Sequence, residues 1–329
     1  MIGLATVGTS TITRNLLDAV AEDPRVRHTV VVSRDAPRGA AFAAQAATRA
    51  DCPRVVSTLD QLAAAEDVDA VYVASPNMAH HTQALTALEA GKHVLVEKSA
   101  CVTAAGWQEL VDAAGRHGVA LLEANRNSTW HPGTAELHDA LSRIGRIRMS
   151  QLSYCQRSSR YDRFLAGELP GIFDPQMAAG ALMDIGTYPL ETMVELFGVP
   201  DSFNTDALRL RNGIDGAGSL LAHYDGHLCS VVWSKISDSP GPSVIQGEDG
   251  TITVDAVEDP GVIEVRTAGT VRTTRIPHRR VRDMAHELSA FIEATESPTR
   301  CALPHRWTSE RLVLMEQIRE RIGVELPGR

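Results

Sequence analysis

Lysine is nearly absent from this 329-residue chain. Of its 32 cationic residues only Lys92, Lys98 and Lys235 are lysines; the rest are arginines. A lysine kept against that background invites a role arginine cannot fill, because an ammonium shifts its pKa readily and exchanges a proton. An excess of positive charge is also missing. The net charge of −9 gives no global attraction to phosphate backbones or anionic lipid, so neither nucleic acid nor a membrane surface is an expected partner. The one basic run, His278-Arg279-Arg280-Val281-Arg282, is followed by Asp283 and has no interleaved aromatics, which predicts a solvated face.

Paired cysteines are lacking too. The five (Cys52, Cys101, Cys155, Cys229, Cys301) are scattered, odd in number and without a C-x-x-C. That excludes a disulfide framework and a zinc site by spacing, and predicts reduced thiols. His223 and His227 flank a turn, but no carboxylate or cysteine set with zinc spacing accompanies them, so no metal site is expected. No apolar run approaches the ~20 residues of a membrane span. No signal peptide is expected ahead of Met1-Ile2-Gly3, where a strand begins at once. A soluble, cytoplasmic protein is predicted. Neither G-x-S-x-G nor the Walker pattern G-x-x-x-x-G-K occurs.

What is present is alternation. Apolar runs at Ile2–Val7, Thr29–Val32, Val55-Val56, Ala70–Ala74, Val94–Val96 and Val119–Glu123 read as strands. Between them Thr13–Glu22, Ala36–Ala50, Leu59–Ala65, His80–Ala90 and Ala104–Gly115 have helical spacing. Such a rhythm argues a parallel sheet covered by helices, and the right-handed crossover leaves the doubly wound nucleotide-binding fold as the commonest solution. After residue 124 the rhythm changes to one helix, Pro132–Leu141, then eight strand candidates between Ile147 and Ile276, with Asp225-Gly226 and Asp249-Gly250 as hairpin turns. Two terminal helices, Met284–Thr295 and Ser309–Ile322, follow. The fold class is therefore α/β: a doubly wound domain over residues 1–123, then an α+β domain over 124–329 with a large, mostly antiparallel sheet.

The chemistry sits at strand ends. Gly8-Thr9-Ser10-Thr11-Ile12-Thr13 follows the first strand and opens the first helix, the place of the G-x-G-x-x-G fingerprint. Only its first glycine is kept, yet small residues let a backbone approach a pyrophosphate, and a helix N-terminus supplies free N–H groups. A capped turn that binds nothing is the plainer alternative. The second strand ends in Ser33-Arg34. An arginine there suits the 2′-phosphate of NADP, where an acid would suit NAD; Asp35 keeps NAD open. Ser75-Pro76-Asn77, with His80 beyond, ends the fourth strand, Glu97-Lys98 the fifth, and Asn125 follows the last. Ligands lie outside the carboxyl ends of such sheets, so these residues are expected to share one rim. A solvated lysine at the sheet edge would leave the same trace as a functional Lys98.

Gly180-Ala-Leu-Met-Asp184-Ile-Gly-Thr-Tyr188-Pro189 is the second constellation. Four apart, Asp184 and Tyr188 share a helix face, and Pro189 places them in a first turn with Asp184 near the N-cap. A capping aspartate and a core tyrosine give the same pattern. The functional reading is proton exchange: a phenol made more acidic by a nearby ammonium, Lys98, can take a hydroxyl proton, with Asp184 orienting the substrate hydroxyl or the lysine.

With these residues in view the chain resembles the Gfo/Idh/MocA oxidoreductases, the glucose-fructose oxidoreductase, inositol dehydrogenase and rhizopine-catabolism group. The resemblance rests on the Gly8 turn, Ser75-Pro76-Asn77 with His80, Ala90 to Lys98, and Gly180 to Tyr188. It implies a Rossmann domain, a C-terminal α+β domain whose open sheet pairs subunits as a homodimer or homotetramer, and NAD(P)-linked oxidation or reduction of a sugar, polyol or diol. It places the family's catalytic lysine on Lys98 and its aspartate on Asp184. The family's histidine position is Tyr188, as in the branch resembling dimeric dihydrodiol and xylose dehydrogenases. Ser159–Asp162 through Phe173-Asp174-Pro175 is expected as a loop near the substrate. Ser99 departs from the usual proline, which would loosen the turn that aims Lys98. A non-catalytic NAD(P) or sugar sensor and an imine-type reductase are the rival readings on the same fold.

Overall fold

A computed structural model describes residues 1–46, 52–128, 130–239, 241–277 and 284–326. The basic run at 278–282 and the end of the helix expected over Ala36–Ala50 therefore lie outside the described residues. Contacts divide the chain into two units, residues 1–125 with 279–309 and residues 126–278 with 310–329. The boundary read from the sequence at 123/124 did not include this return of residues 279–309.

The first unit is built on six parallel strands: β1 (Ile2–Val7), β2 (Val26–Val32), β3 (Arg54–Val56), β4 (Ala70–Val73), β5 (His93–Glu97) and β6 (Leu121–Ala124). Their order is β3-β2-β1-β4-β5-β6, the doubly wound arrangement that reverses direction beside β1. The central strands are largely apolar because both faces are covered; Val71, Val73, Val94 and Val96 have no exposed surface. Helices α1 (Thr11–Glu22), α2 (Ala36–Ala46), α3 (Leu59–Ala63), α4 (Asn77–Glu89) and α5 (Ala104–His117) make the crossovers. Their limits follow local chemistry. Thr58 and Gln61 form a capping box on α3, Thr103 accepts the Gly106 N–H at α5, and Gly118 ends α5 at φ +65°.

The second unit holds α6 (Pro132–Leu141), α7 (Tyr161–Leu165), α8 (Thr187–Phe197) and one eight-stranded sheet. Its strands are β7 (Ile147–Cys155), β8 (Ser202–Arg209), β9 (Asp215–Tyr224), β10 (His227–Ser234), β11 (Ser243–Gly247), β12 (Gly250–Val254), β13 (Val262–Thr267) and β14 (Thr270–Arg275). The order is β14-β13-β12-β11-β7-β10-β9-β8, antiparallel except for β7 against β10. Strands β9 and β10 alternate between buried and more exposed residues, as expected of a sheet covered on one face. Helix α8 packs on β7 and β10. The excursion between β7 and α8 packs Phe164 and Phe173 with Ile214 of the β8–β9 connection, and the Arg211 guanidinium of that connection lies 3.7 Å from the Phe164 ring centroid. Helix α9 (Ala285–Glu296) belongs to the first unit, and α10 (Ala302–Ile322) carries residues of both. Among the described residues no helix is long and apolar enough to cross a membrane.

Candidate functional site

At the carboxyl rim of the first sheet, Gly8 leaves β1 at φ +110°, and a Cβ there would collide with the Ala74 carbonyl beyond β4. A glycine is needed for the turn and for the close approach of the two strand ends. Ser10 caps α1 without any side-chain bond to its backbone, and the first turn carries no acidic residue. The first-turn N–H groups and the positive end of the helix dipole thus meet no carboxylate from their own turn. Thr9, Ser10 and Ile12 are half-buried and Thr11 is exposed.

Past β2, Ser33 donates its hydroxyl to the Asp35 carbonyl at 2.8 Å. Asp35 turns its carboxylate to the Arg38 N–H at 3.0 Å, capping the start of α2. Arg34 is exposed and makes no hydrogen bond or ion pair among the described residues.

Past β4, Asn77 opens α4 behind Pro76, and Ser75 lies half-buried beside it. His80 is only 1% exposed and turns Nε2 to the Ser75 carbonyl (2.7 Å) and Nδ1 to the Ser99 carbonyl (3.0 Å). Burial lowers its pKa, while the two carbonyls pull the other way. His80 therefore fixes two rim loops to each other.

Glu97 ends β5 as an acceptor for the Tyr72 hydroxyl at 2.6 Å, and Lys98 follows half-buried. The Lys98–Ser99 peptide is cis. The backbone after Lys98 is held on both sides without a proline: the Ser99 carbonyl meets His80, and the Ala100 N–H donates to Glu123 at 2.8 Å. Asn125, beyond β6, is 2% exposed, and neither its Oδ1 nor its Nδ2 has a partner among the described residues. A buried amide with both ends unmatched is costly unless something supplies the partners.

A dinucleotide fits this rim: a glycine turn, an open helix N-terminus, an exposed arginine where the adenosine ribose falls in this fold, and an unpartnered buried amide. All the strand-end residues singled out from the sequence lie along it.

In the second unit the chain reaches Asp184 through a π-helical turn, Leu182–Gly186, that runs into α8. Asp184 was expected near an N-cap; it sits inside the helical path instead. The reason is Asp215, whose buried carboxylate accepts the Leu182 N–H (2.7 Å) and the Trp233 indole N–H (2.9 Å) and so starts the turn before Asp184. Burial raises the Asp215 pKa against the pull of those donors. Gly180, at φ +125°, makes room, since a Cβ there would strike the Asp215 carboxylate.

Tyr188 is 6% exposed. Its ring meets Tyr154 edge-on at 5.7 Å, the Arg126 guanidinium lies 5.7 Å from its centroid, and its carbonyl accepts the Asn127 amide at 2.9 Å. Arg126 is held in turn by Asp259 at 3.3 Å. Helix α8 is anchored by Glu191, which pairs with the buried Arg311 at 2.6 Å, and Arg311 also reaches the Thr187 hydroxyl.

The residue that sequence reasoning missed is Lys235. Its ammonium sits on the Asp184 carboxylate, from the end of β10. Its signal was available in the scarcity of lysine and in its place just past an apolar strand.

Comparison with known proteins agrees with the two-domain architecture. The pattern described as the oxidoreductase family with an NAD-binding Rossmann fold matches residues 2–124, and the GFO/IDH/MocA C-terminal domain matches residues 139–253. The chain is 36% identical over 333 residues to scyllo-inositol 2-dehydrogenase (NADP(+)) of Bacillus subtilis, covering 100% of this chain and 99% of the relative. It is 29% identical over 250 residues to trans-1,2-dihydrobenzene-1,2-diol dehydrogenase of Xenopus tropicalis, covering 74% and 72%. A 3-ketoreductase from Actinomadura kijaniata, solved with NADP and TDP-benzene, shares the fold at a TM-score of 0.84 and 23% identity, over 98% of each chain. A Gly8 turn on a doubly wound sheet, an open antiparallel sheet and a full-length likeness above 30% converge on one conclusion: the chain belongs to the GFO/IDH/MocA oxidoreductase family.

Proposed function

We propose that this chain is an NADP-preferring dehydrogenase or reductase acting on a CH–OH group of a sugar, polyol or vicinal diol. The observation that carries the reading is the end-to-end likeness to an NADP(+)-dependent inositol dehydrogenase. The exposed Arg34, without a partner among the described residues, beside a committed Asp35 supports the preference for NADP over NAD. The first unit holds the dinucleotide through Gly8 to Ile12, Ser33, Arg34, Ser75, Pro76, Asn77, His80, Glu97, Lys98 and Asn125. The second unit shapes the substrate side.

When bound, the nicotinamide supplies the hydride acceptor or donor. Tyr188 exchanges the hydroxyl proton at its phenol oxygen, Lys98 assists that exchange, and Asp184 orients the reacting hydroxyl. The protein works in the cytoplasm as a homodimer or homotetramer through the eight-stranded sheet. Met149, Leu221, Leu228 and Val232 are each 38–45% exposed and share one face of that sheet by register, which supports the pairing.

The test is turnover of scyllo-inositol and a panel of sugars and diols, followed at the reduced-nicotinamide absorbance band. Lys98→Ala and Tyr188→Phe should each lower kcat by about 100-fold or more, within the range ascribed to a general acid–base group, and leave NADPH affinity within about three-fold. Unchanged turnover in both variants would remove the mechanism, and an inert unmodified chain across the panel would remove the function.

A further inference from the structure

We propose that Lys235 is a positioning residue of this site, holding the Asp184 carboxylate in place for the substrate hydroxyl. The inference rests on the proposed role of Asp184 and adds a residue that neither the family pattern nor the sequence motifs assign.

Four observations carry it. Lys235 is 6% exposed, and its ammonium is directly on Asp184, whose side chain keeps 33% of its surface open. The buried end of the pair is thus the cation, and the open end is the carboxylate that a ligand could reach. Lys235 is itself fixed at both backbone ends: its N–H donates to the Gly216 carbonyl at 2.8 Å, and its carbonyl accepts the Ser158 N–H at 2.9 Å. The π-turn carrying Asp184 is pinned from β9 by Asp215, so both partners are held by the same sheet. The chain uses lysine at only three positions, and one of them is this one.

Among the other ionisable groups by the turn, the buried Arg319 directs its guanidinium to the Met183 sulfur at 3.1 Å. Asp215 faces the Leu182 and Trp233 N–H groups, Glu191 pairs with Arg311, and Tyr154 packs edge-on against the Tyr188 ring. Cys155 ends β7, where burial raises its pKa and keeps it neutral. A buried cation beside a partly open carboxylate fixes the rotamer of that carboxylate. Reorientation of Asp184 on substrate binding is thereby avoided, which is the condition for positioned catalysis.

The experiment is a double-mutant cycle on the full chain with Lys235→Met and Asp184→Asn, read by thermal unfolding and by turnover of the best polyol from the panel. In unfolding, Lys235→Met alone leaves a carboxylate without its cation and should lower Tm. Adding Asp184→Asn should recover most of that loss. In turnover, Lys235→Met should lower kcat by about ten-fold or more with KM changed far less, and the double variant should be no slower than Asp184→Asn alone, because Lys235 acts through Asp184. Lys235→Arg should retain Tm better than kcat. Additive Tm losses would overturn the pairing. Multiplying kcat losses, or a Lys235→Met enzyme with unchanged kcat, would overturn the positioning role. The unfolding cycle needs no substrate, so its failure is distinct from failure of the oxidoreductase reading, which an inert unmodified chain would signal.

Discussion

Asp35 accepts the backbone N–H of Arg38 at 3.0 Å, and this one bond frees its neighbour. The two side chains that follow β2 are the candidates for reading the adenosine ribose. The acid is committed to the cap of α2, whereas Arg34 stands exposed without a protein partner among the described residues.

The first prediction concerns that arginine. A charge-assisted contact to a 2′-phosphate contributes about 1.5–3 kcal/mol. Arg34→Asp should therefore weaken NADPH binding by about 10- to 100-fold and leave NADH binding nearly unchanged, measured by fluorescence titration. Equal loss for both dinucleotides would assign Arg34 a merely structural part.

Acid stability should depend on His28. It is 7% exposed on β2, its Nε2 faces the Val30 carbonyl at 3.1 Å, and its Nδ1 has no partner. Burial lowers its pKa to about 4. Below its unfolded value of ~6.5 the unfolded chain takes up a proton that the folded chain refuses, so stability falls as pH drops toward 4. The loss attributable to this group reaches about 3 kcal/mol near pH 4. Denaturant unfolding at pH 7 and pH 4.5 should show a smaller difference in His28→Gln than in the unmodified chain.

Arg311 sets a third expectation. It has no exposed surface, pairs with Glu191 at 2.6 Å and reaches Thr187, so it locks the start of α8. Arg311→Ala leaves a buried carboxylate unmatched and should cost about 3–5 kcal/mol in urea unfolding. Joining it to Glu191→Gln should return part of the loss. A loss below about 1 kcal/mol in the single variant would mean water reaches Glu191 freely.

Most of the architecture could be read from periodicity. All six strands of the first sheet and all eight of the second were foreseen within a few residues, because buried parallel strands are uniformly apolar and the later strands carry β-branched alternation. What stayed hidden were features made by distant partners. The π-turn at Leu182–Gly186 depends on Asp215, 33 residues away from the N–H it accepts. Lys235 lies 51 residues from Asp184, and no local spacing links them. Likewise the bonds of His80 to the Ser75 and Ser99 carbonyls follow from the folding of two strand ends together. Strand-end residues such as Arg34 and Lys98 were legible because topology alone puts them on one rim.

The return of residues 279–309 to the first unit means that no single scission yields two whole halves. Severed after residue 125, the amino-terminal fragment would lack Thr308, which donates to Glu123 at 3.1 Å, and His305, whose ring faces the Leu121 carbonyl at 2.8 Å and whose carbonyl receives the Trp107 indole at 3.1 Å. A transplantable nucleotide module from this protein must therefore be spliced from two separate stretches of sequence.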